Sequence, residues 1–172
     1  MGPLRRRRRE AEKPRGRRYV MRERLLDIGD DYWIESDDGQ HQFKVNGKAL
    51  RFRDTFVIEN PHGQELAKIQ ERKVRVRDAM TIHLVDRKAV VKKALIGLRD
   101  RYHVEVDDGS DLKVQGNFVD HEYEIEADGD KVAEVSKRWL RARDTYGVEV
   151  EPGTDPVLVL AVTVAVDAMS HN

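Results

Sequence analysis

The sequence predicts an all-antiparallel β protein, a barrel or a sandwich of about twelve strands of ordinary length. Three observations carry this reading. From Tyr19 onward the chain is cut into segments of four to eight residues with period-two or nearly period-two patterning. Each segment stops at Gly, Asn, Asp or Pro, the residues that favour turns. The second half of the chain also repeats the first.

Taken in order, DDYWIES (30–36) is rich in aromatic and β-favouring residues and runs into the turn DDGQ. HQFKVNG (41–47) alternates and ends on Asn46-Gly47, a strong hairpin signal. ALRFRD, TFVIENPHGQ, ELAKIQ, KVRVRD, MTIHLVDRK and AVVKK follow. After a looser stretch come RYHVEVDDG, DLKVQG, EYEIEADGD, KVAEVS, WLRARD and YGVEVEPG. Three of these segments end in Arg-x-Arg-Asp. Read as strands, they put Arg51 and Arg53 opposite Leu50 and Phe52, and Lys73, Arg75 and Arg77 opposite Val74 and Val76. Arg141 and Arg143 likewise stand opposite Leu140 and Ala142. The apolar parity faces the core, the arginines face water, and the Asp that follows closes the strand and starts a turn. The arginines are then either a solvated exterior paired with neighbouring acids or, if they converge from different strands, a phosphate-binding patch, because Arg offers a planar fork of donors.

The repeat is ungapped over 22 residues when Gly63 is placed on Gly129 and Leu84 on Val150. Gly63, Ala67, Arg72, Arg75, Arg77 and Asp78 fall on Gly129, Ala133, Arg138, Arg141, Arg143 and Asp144. Upstream, DDGQHQFKVNG matches DDGSDLKVQG with small gaps. Two copies at a long period suggest two six-strand halves closing one sheet, not a solenoid. The expected halves are residues 19–93 and 101–150 of a single domain, 19–172.

The last element, DPVLVLAVTVAVDAM, is apolar on every side. Its β-branched content favours a strand, whereas Asp155 can cap a helix and Pro156 suits the first helical position. A helix over 156–168 would have to be surrounded by protein. The run is too short to span a bilayer, which needs about 20 apolar residues.

Charge divides the chain. Residues 1–18 carry Arg5, Arg6, Arg7, Arg8, Arg9, Lys13, Arg15, Arg17 and Arg18 against Glu10 and Glu12, a net of +7, and the rest of the chain carries a net of −7. With one Leu, two Pro and no aromatic residue, residues 1–18 are expected to be a disordered tail. No apolar stretch follows the basic run, so it does not read as a signal peptide. Such a tail attracts anionic lipid or, with steep salt dependence, nucleic acid; otherwise it is a solubilising or self-docking segment.

Little chemistry is legible. The absence of cysteine excludes disulfides, zinc–thiolate sites and thiol nucleophiles, and fits a cytoplasmic setting. His41, His62, His83, His103, His121 and His171 form no ligand motif. Asp37/Asp38 and Asp107/Asp108 lead straight into glycines, which is turn chemistry. No serine lies in a nucleophile elbow, and no glycine-rich phosphate loop is present. No catalytic residue, metal or cofactor is expected.

The stretches RERLLDIGDDYWIESDDG, KVNGKAL, GQELAKIQERK, LKVQGNFVDHEYEI and VAEVSKRW, and above all the closing DTYGVEVEPGTDPVLVLAVTVAVDAM, resemble the LURP-one-related proteins of the Tubby C-terminal-like superfamily. The resemblance covers about residues 19–169. It implies a closed twelve-strand barrel with the hydrophobic C-terminal helix threaded through its centre. The superfamily includes phosphoinositide-binding Tubby proteins and phospholipid scramblases, so it also implies a non-enzymatic binding module, peripheral at a membrane, that contacts anionic lipid headgroups. A protein-interaction scaffold with an incidental basic tail is the alternative, and nucleic-acid binding through the tail a further one.

Overall fold

A computed structural model describes residues 15–22, 31–47, 55–72, 79–96, 99–140 and 144–170. Twelve strands run in chain order: β1 Arg17–Arg22, β2 Tyr32–Ser36, β3 His41–Asn46, β4 Thr55–Glu59, β5 Glu65–Arg72, β6 Ala79–Leu84, β7 Lys88–Ile96, β8 Arg99–Val106, β9 Leu112–Asn117, β10 Glu122–Ala127, β11 Asp130–Ser136 and β12 Thr145–Val150. Each pairs antiparallel with its chain neighbours. β1 closes the ring on β12, from Arg17 opposite Val150 to Arg22 opposite Thr145. A closed barrel has no free edge strand, so every strand has a hydrogen-bonded neighbour on both sides. This settles the choice between barrel and sandwich.

The period-two pattern is the barrel wall seen from inside. Ile34, Val45, Ile58, Ile69, Ile82, Val91, Val104, Val114, Ile125, Val135 and Val148 are all buried, one from each of eleven successive strands. Through the middle runs α1, Pro156–Ser170, with every residue from Leu158 to Met169 buried. It is the helix of the two alternatives left open by its sequence. Asp155 caps it, accepting the Val157 N–H on its carboxylate at 3.0 Å, and Pro156 occupies the first turn, where no N–H is needed. The buried Thr163 hydroxyl donates to the Val159 carbonyl at 2.9 Å, so its one polar group is satisfied within the helix. The helix lies closest to β5, β6 and β7. Small inward residues there, Ala67 and Ala89, admit it, while Tyr102, Phe118, Tyr123 and Tyr146 fill the other side.

The duplication holds in register. β6 maps onto β12 residue for residue, and the pairs Ala67–Leu84 and Ile69–Ile82 recur as Ala133–Val150 and Val135–Val148. β6 is thus the register counterpart of β12. Gly63 and Gly129 occupy equivalent turns with φ of 81° and 84°.

Three expectations change. Arg17 and Arg18 belong to β1, so the tail assignment does not extend to them. WLRARD is not a strand where it is described: Trp139 and Leu140 lie in a turn after β11, and Asp144 sits at φ 60° immediately before β12. Trp139 instead folds back over β12. Its Cε3 stands 2.8 Å from where a Cβ of Gly147 would be, so that strand position requires glycine. Leu50 to Asp54 and Lys73 to Asp78 lie outside the described residues, so no strand is assigned there.

Candidate functional site

Strand alternation gives the barrel two ends. At one, β1 and α1 both begin, and the connections are the short turns 37–40, 60–64, 85–87, 107–111 and 128–129 together with 151–155. At the other, α1 ends, and most connections are longer. The first is called the acidic end below and the second the latch end.

The latch end is named for a buried contact between a histidine and a carboxylate. His121, in the turn between β9 and β10, places Nε2 at 2.8 Å from Oδ1 of Asp167 in the last turn of α1. The two side chains are 3% and 5% exposed. A carboxyl group buried near a helix C-terminus needs a hydrogen-bond partner, and His121 supplies one. The turn holds His121 at φ 50°, a region uncommon for a residue with a side chain. Its ring stacks on Tyr146 at 4.3 Å. Tyr102, Phe118 and Tyr123 complete the packing, with Phe118 edge-on to Tyr102 at 4.8 Å. The Tyr32 hydroxyl is buried and has no hydrogen-bond partner among the described residues. Burial pushes the Tyr32 and Tyr123 hydroxyls well above the usual phenol range, and the Asp167 carboxylate adds to the shift in both. The four tyrosine hydroxyl oxygens are closed to solvent, so these rings are packed core.

Of the arginines singled out in the sequence, Arg51, Arg53, Lys73, Arg75, Arg77, Arg141 and Arg143 lie outside the described residues, as do Arg5 to Arg9 and Lys13. The described residues that border the undescribed stretches of the three Arg-x-Arg-Asp segments are Gly47 and Thr55, Arg72 and Ala79, and Leu140 and Asp144. All six sit at the latch end. Arg18 serves the wall. It donates to Glu149 through Nε at 3.3 Å and Nη2 at 2.9 Å, and its guanidinium lies 4.5 Å from the Trp139 ring centroid. Arg15 and Arg17 are exposed and line a cavity of about 310 Å³ with Tyr19, Glu151 and Pro156, where β1 and α1 begin.

The acidic end carries Asp37 and Asp38, Asp86, Asp107, Asp108 and Asp111, Asp128, Glu151 and Asp155 in its connections, nine carboxylates against Arg87 alone. Arg87 Nη2 donates to Asp155 at 3.0 Å. Asp108 and Asp128 adopt φ of 54° and 51°, and Gly39 adopts 81°, so the acidic doublets do serve as turn formers. Between the turns 107–111 and 128–129 lies a cleft of about 560 Å³ lined by Asp111, Glu126 and Asp128 with Lys113.

The family model for LURP-one-related proteins matches residues 17–167, from the first residue of β1 into the last turn of α1. The chain belongs to the LURP-one-related family. A solved structure of an Arabidopsis thaliana protein shares the fold of this family member with a TM-score of 0.60 and 16% identity, covering 92% of this chain and 93% of that one. No curated protein matches it.

In this LURP-one-related chain the sequence reading missed the buried pair. The signal was present: Asp167 is the one charged residue in a helix that is otherwise apolar but for Thr163 and Ser170, and a buried helix with one carboxylate must bring a partner to it. Which residue answers could not be read, because His121 lies 46 positions away on another element. Of the other histidines, His41 stacks on Trp33 at 4.3 Å on the outer face, and His103 lies 3.5 Å from Asp111. No group of three or more His, Cys, Asp or Glu that could hold a metal occurs among the described residues, and none of their helices is long and apolar enough to cross a membrane.

Proposed function

We propose that this LURP-one-related protein is a non-enzymatic binding module that meets anionic phosphate groups, those of phospholipid headgroups first, at its latch end. One observation carries the reading. The described residues on either side of the three segments that hold Arg51 and Arg53, Lys73, Arg75 and Arg77, and Arg141 and Arg143 share that end. A phosphate patch needs donors from different strands, and this topology supports that requirement. The helix fills the barrel, which favours an exterior contact over an internal ligand. Sedimentation with vesicles tests the proposal. Binding to anionic phosphatidylserine or phosphoinositide vesicles, weakened by salt and lost in the Arg75→Glu/Arg77→Glu/Arg141→Glu/Arg143→Glu variant, is the expected result. Equal binding to neutral phosphatidylcholine vesicles, or an unaffected charge-reversal variant, overturns it.

A protein-interaction scaffold is the second reading. It is favoured by the Trp33–His41 stack on the outer face of β2 and β3, where Lys44 lies 5.9 Å from the Trp33 ring centroid. Aromatic residues on a polar wall suit a protein contact. A stoichiometric partner recovered by the intact chain and lost on Trp33→Ala would support it.

A further inference from the structure

We propose that the acidic end is a docking surface for the chain's own N-terminal segment, residues 1–14. That segment holds Arg5 to Arg9 and Lys13 against Glu10 and Glu12, a net of +4. It joins the barrel at Arg15, two residues before β1, and therefore at the acidic end. The side chains of Asp37, Asp86, Asp107 and Asp108 are exposed there and make no hydrogen bond or ion pair among the described residues. The cleft beside Asp111, Glu126 and Asp128 adds a concave surface of the same sign. Arg87 on Asp155 shows that this end already takes one guanidinium.

Charge and tether act together. Single exposed contacts between arginine and carboxylate are weak. A segment attached at the rim of its own docking surface, however, is present at an effective concentration in the millimolar range. Fourteen extended residues reach about 45–50 Å at roughly 3.3–3.6 Å each. Twelve strands spaced about 4.8 Å apart, tilted as in a barrel, close a ring on the order of 25 Å across. The segment thus reaches every turn of the end it leaves from. The contact is electrostatic and is steered by the summed field of the turns. It stands apart from the headgroup reading, which concerns the opposite rim, and its test contains no lipid.

The test compares amide spectra of the full chain with those of a variant carrying Gln at positions 5–9. Gly39, Asp86, Asp107, Gly109 and Gly129 should shift between the two, Val119 and Asp120 at the latch end should not, and the differences should vanish near 1 M salt, where the screening length is about 3 Å. A second variant, Asp107→Asn/Asp108→Asn/Asp128→Asn, keeps the fold, because Asn accepts the positive φ of positions 108 and 128. Trypsin should cut at Arg5 to Arg9 several-fold faster in it than in the parent chain. Unchanged turn amides, or equal cleavage rates, overturn the proposal. So do turn shifts that grow with protein concentration alongside a doubled mass, since the segment would then be docked on a second copy.

Discussion

The two ends of the barrel close the same twelve strands by opposite means. At the acidic end the connections are short, their carboxylates are mostly exposed, and the helix begins under a capping Asp155 that Arg87 holds from outside. At the latch end a carboxylate is buried, and the helix ends against His121 and a packed group of tyrosines. The same chemical group is therefore cheap at one end and demanding at the other. In water a carboxylate is solvated wherever it points; in the core it must be answered by a partner that the fold brings to it. The comparison teaches that tertiary specificity is concentrated at the latch end and long-range field at the acidic end.

The sharpest way to break that contrast is at Asp167. Asp167→Ala removes the partner of a buried His121 and is expected to cost about 3–5 kcal/mol, the usual penalty for halving a buried pair, read as a lowered midpoint in urea. Replacing both residues with leucine should recover much of that loss, because a buried pair exchanged for apolar groups is often neutral. If Asp167→Ala unfolds at the parent's midpoint, the latch does not hold the helix.

Alkali probes the same end more gently. Tyr32 and Tyr123 ionise above the usual phenol range when folded, so above about pH 10 the unfolded chain releases their protons first and stability falls as pH rises. Below that range their contribution is intact. Each tyrosine kept protonated costs up to about 1.4 kcal/mol per pH unit in this window. Thermal midpoints measured across pH 9 to 11 (roughly the phenol range) should fall less steeply in a Tyr32→Phe/Tyr123→Phe variant than in the parent.

At the acidic end the effects shrink. Asp155→Ala removes the cap and the Arg87 contact and should cost about 1 kcal/mol, checked by the same urea titration. Asp107→Asn with Asp108→Asn should change stability by no more than about 0.5 kcal/mol at 0.15 M salt. A loss as large as that of Asp167→Ala would erase the distinction between the ends.

Much of the fold was legible because period-two patterning and turn residues are local signals. Gly39, Gly63 and Gly129 stop strands where the sequence places the turns, and the 63–84 repeat places β5 and β6 on β11 and β12, which pair in the same register. WLRARD misled the reading, because alternation alone cannot distinguish a strand from a turn whose Trp139 packs back over Gly147. Arg18 was grouped with a basic tail because its partners, Glu149 and Trp139, are more than a hundred residues away in sequence. For the candidate site, the acidic doublets could be read as turns, but not that their turns share one end.

By itself the sequence determined a β protein in two similar halves, an apolar terminal element that must be enclosed, and a charge split between a basic N-terminus and an acidic body. Those are properties of composition and short-range periodicity. Only the tertiary structure decided that the sheet closes on itself, that His121 answers Asp167, and that nine carboxylates gather at the end where the basic segment joins. Each of these depends on which residues the antiparallel alternation of twelve strands brings together across long stretches of chain, and no local pattern carries that information.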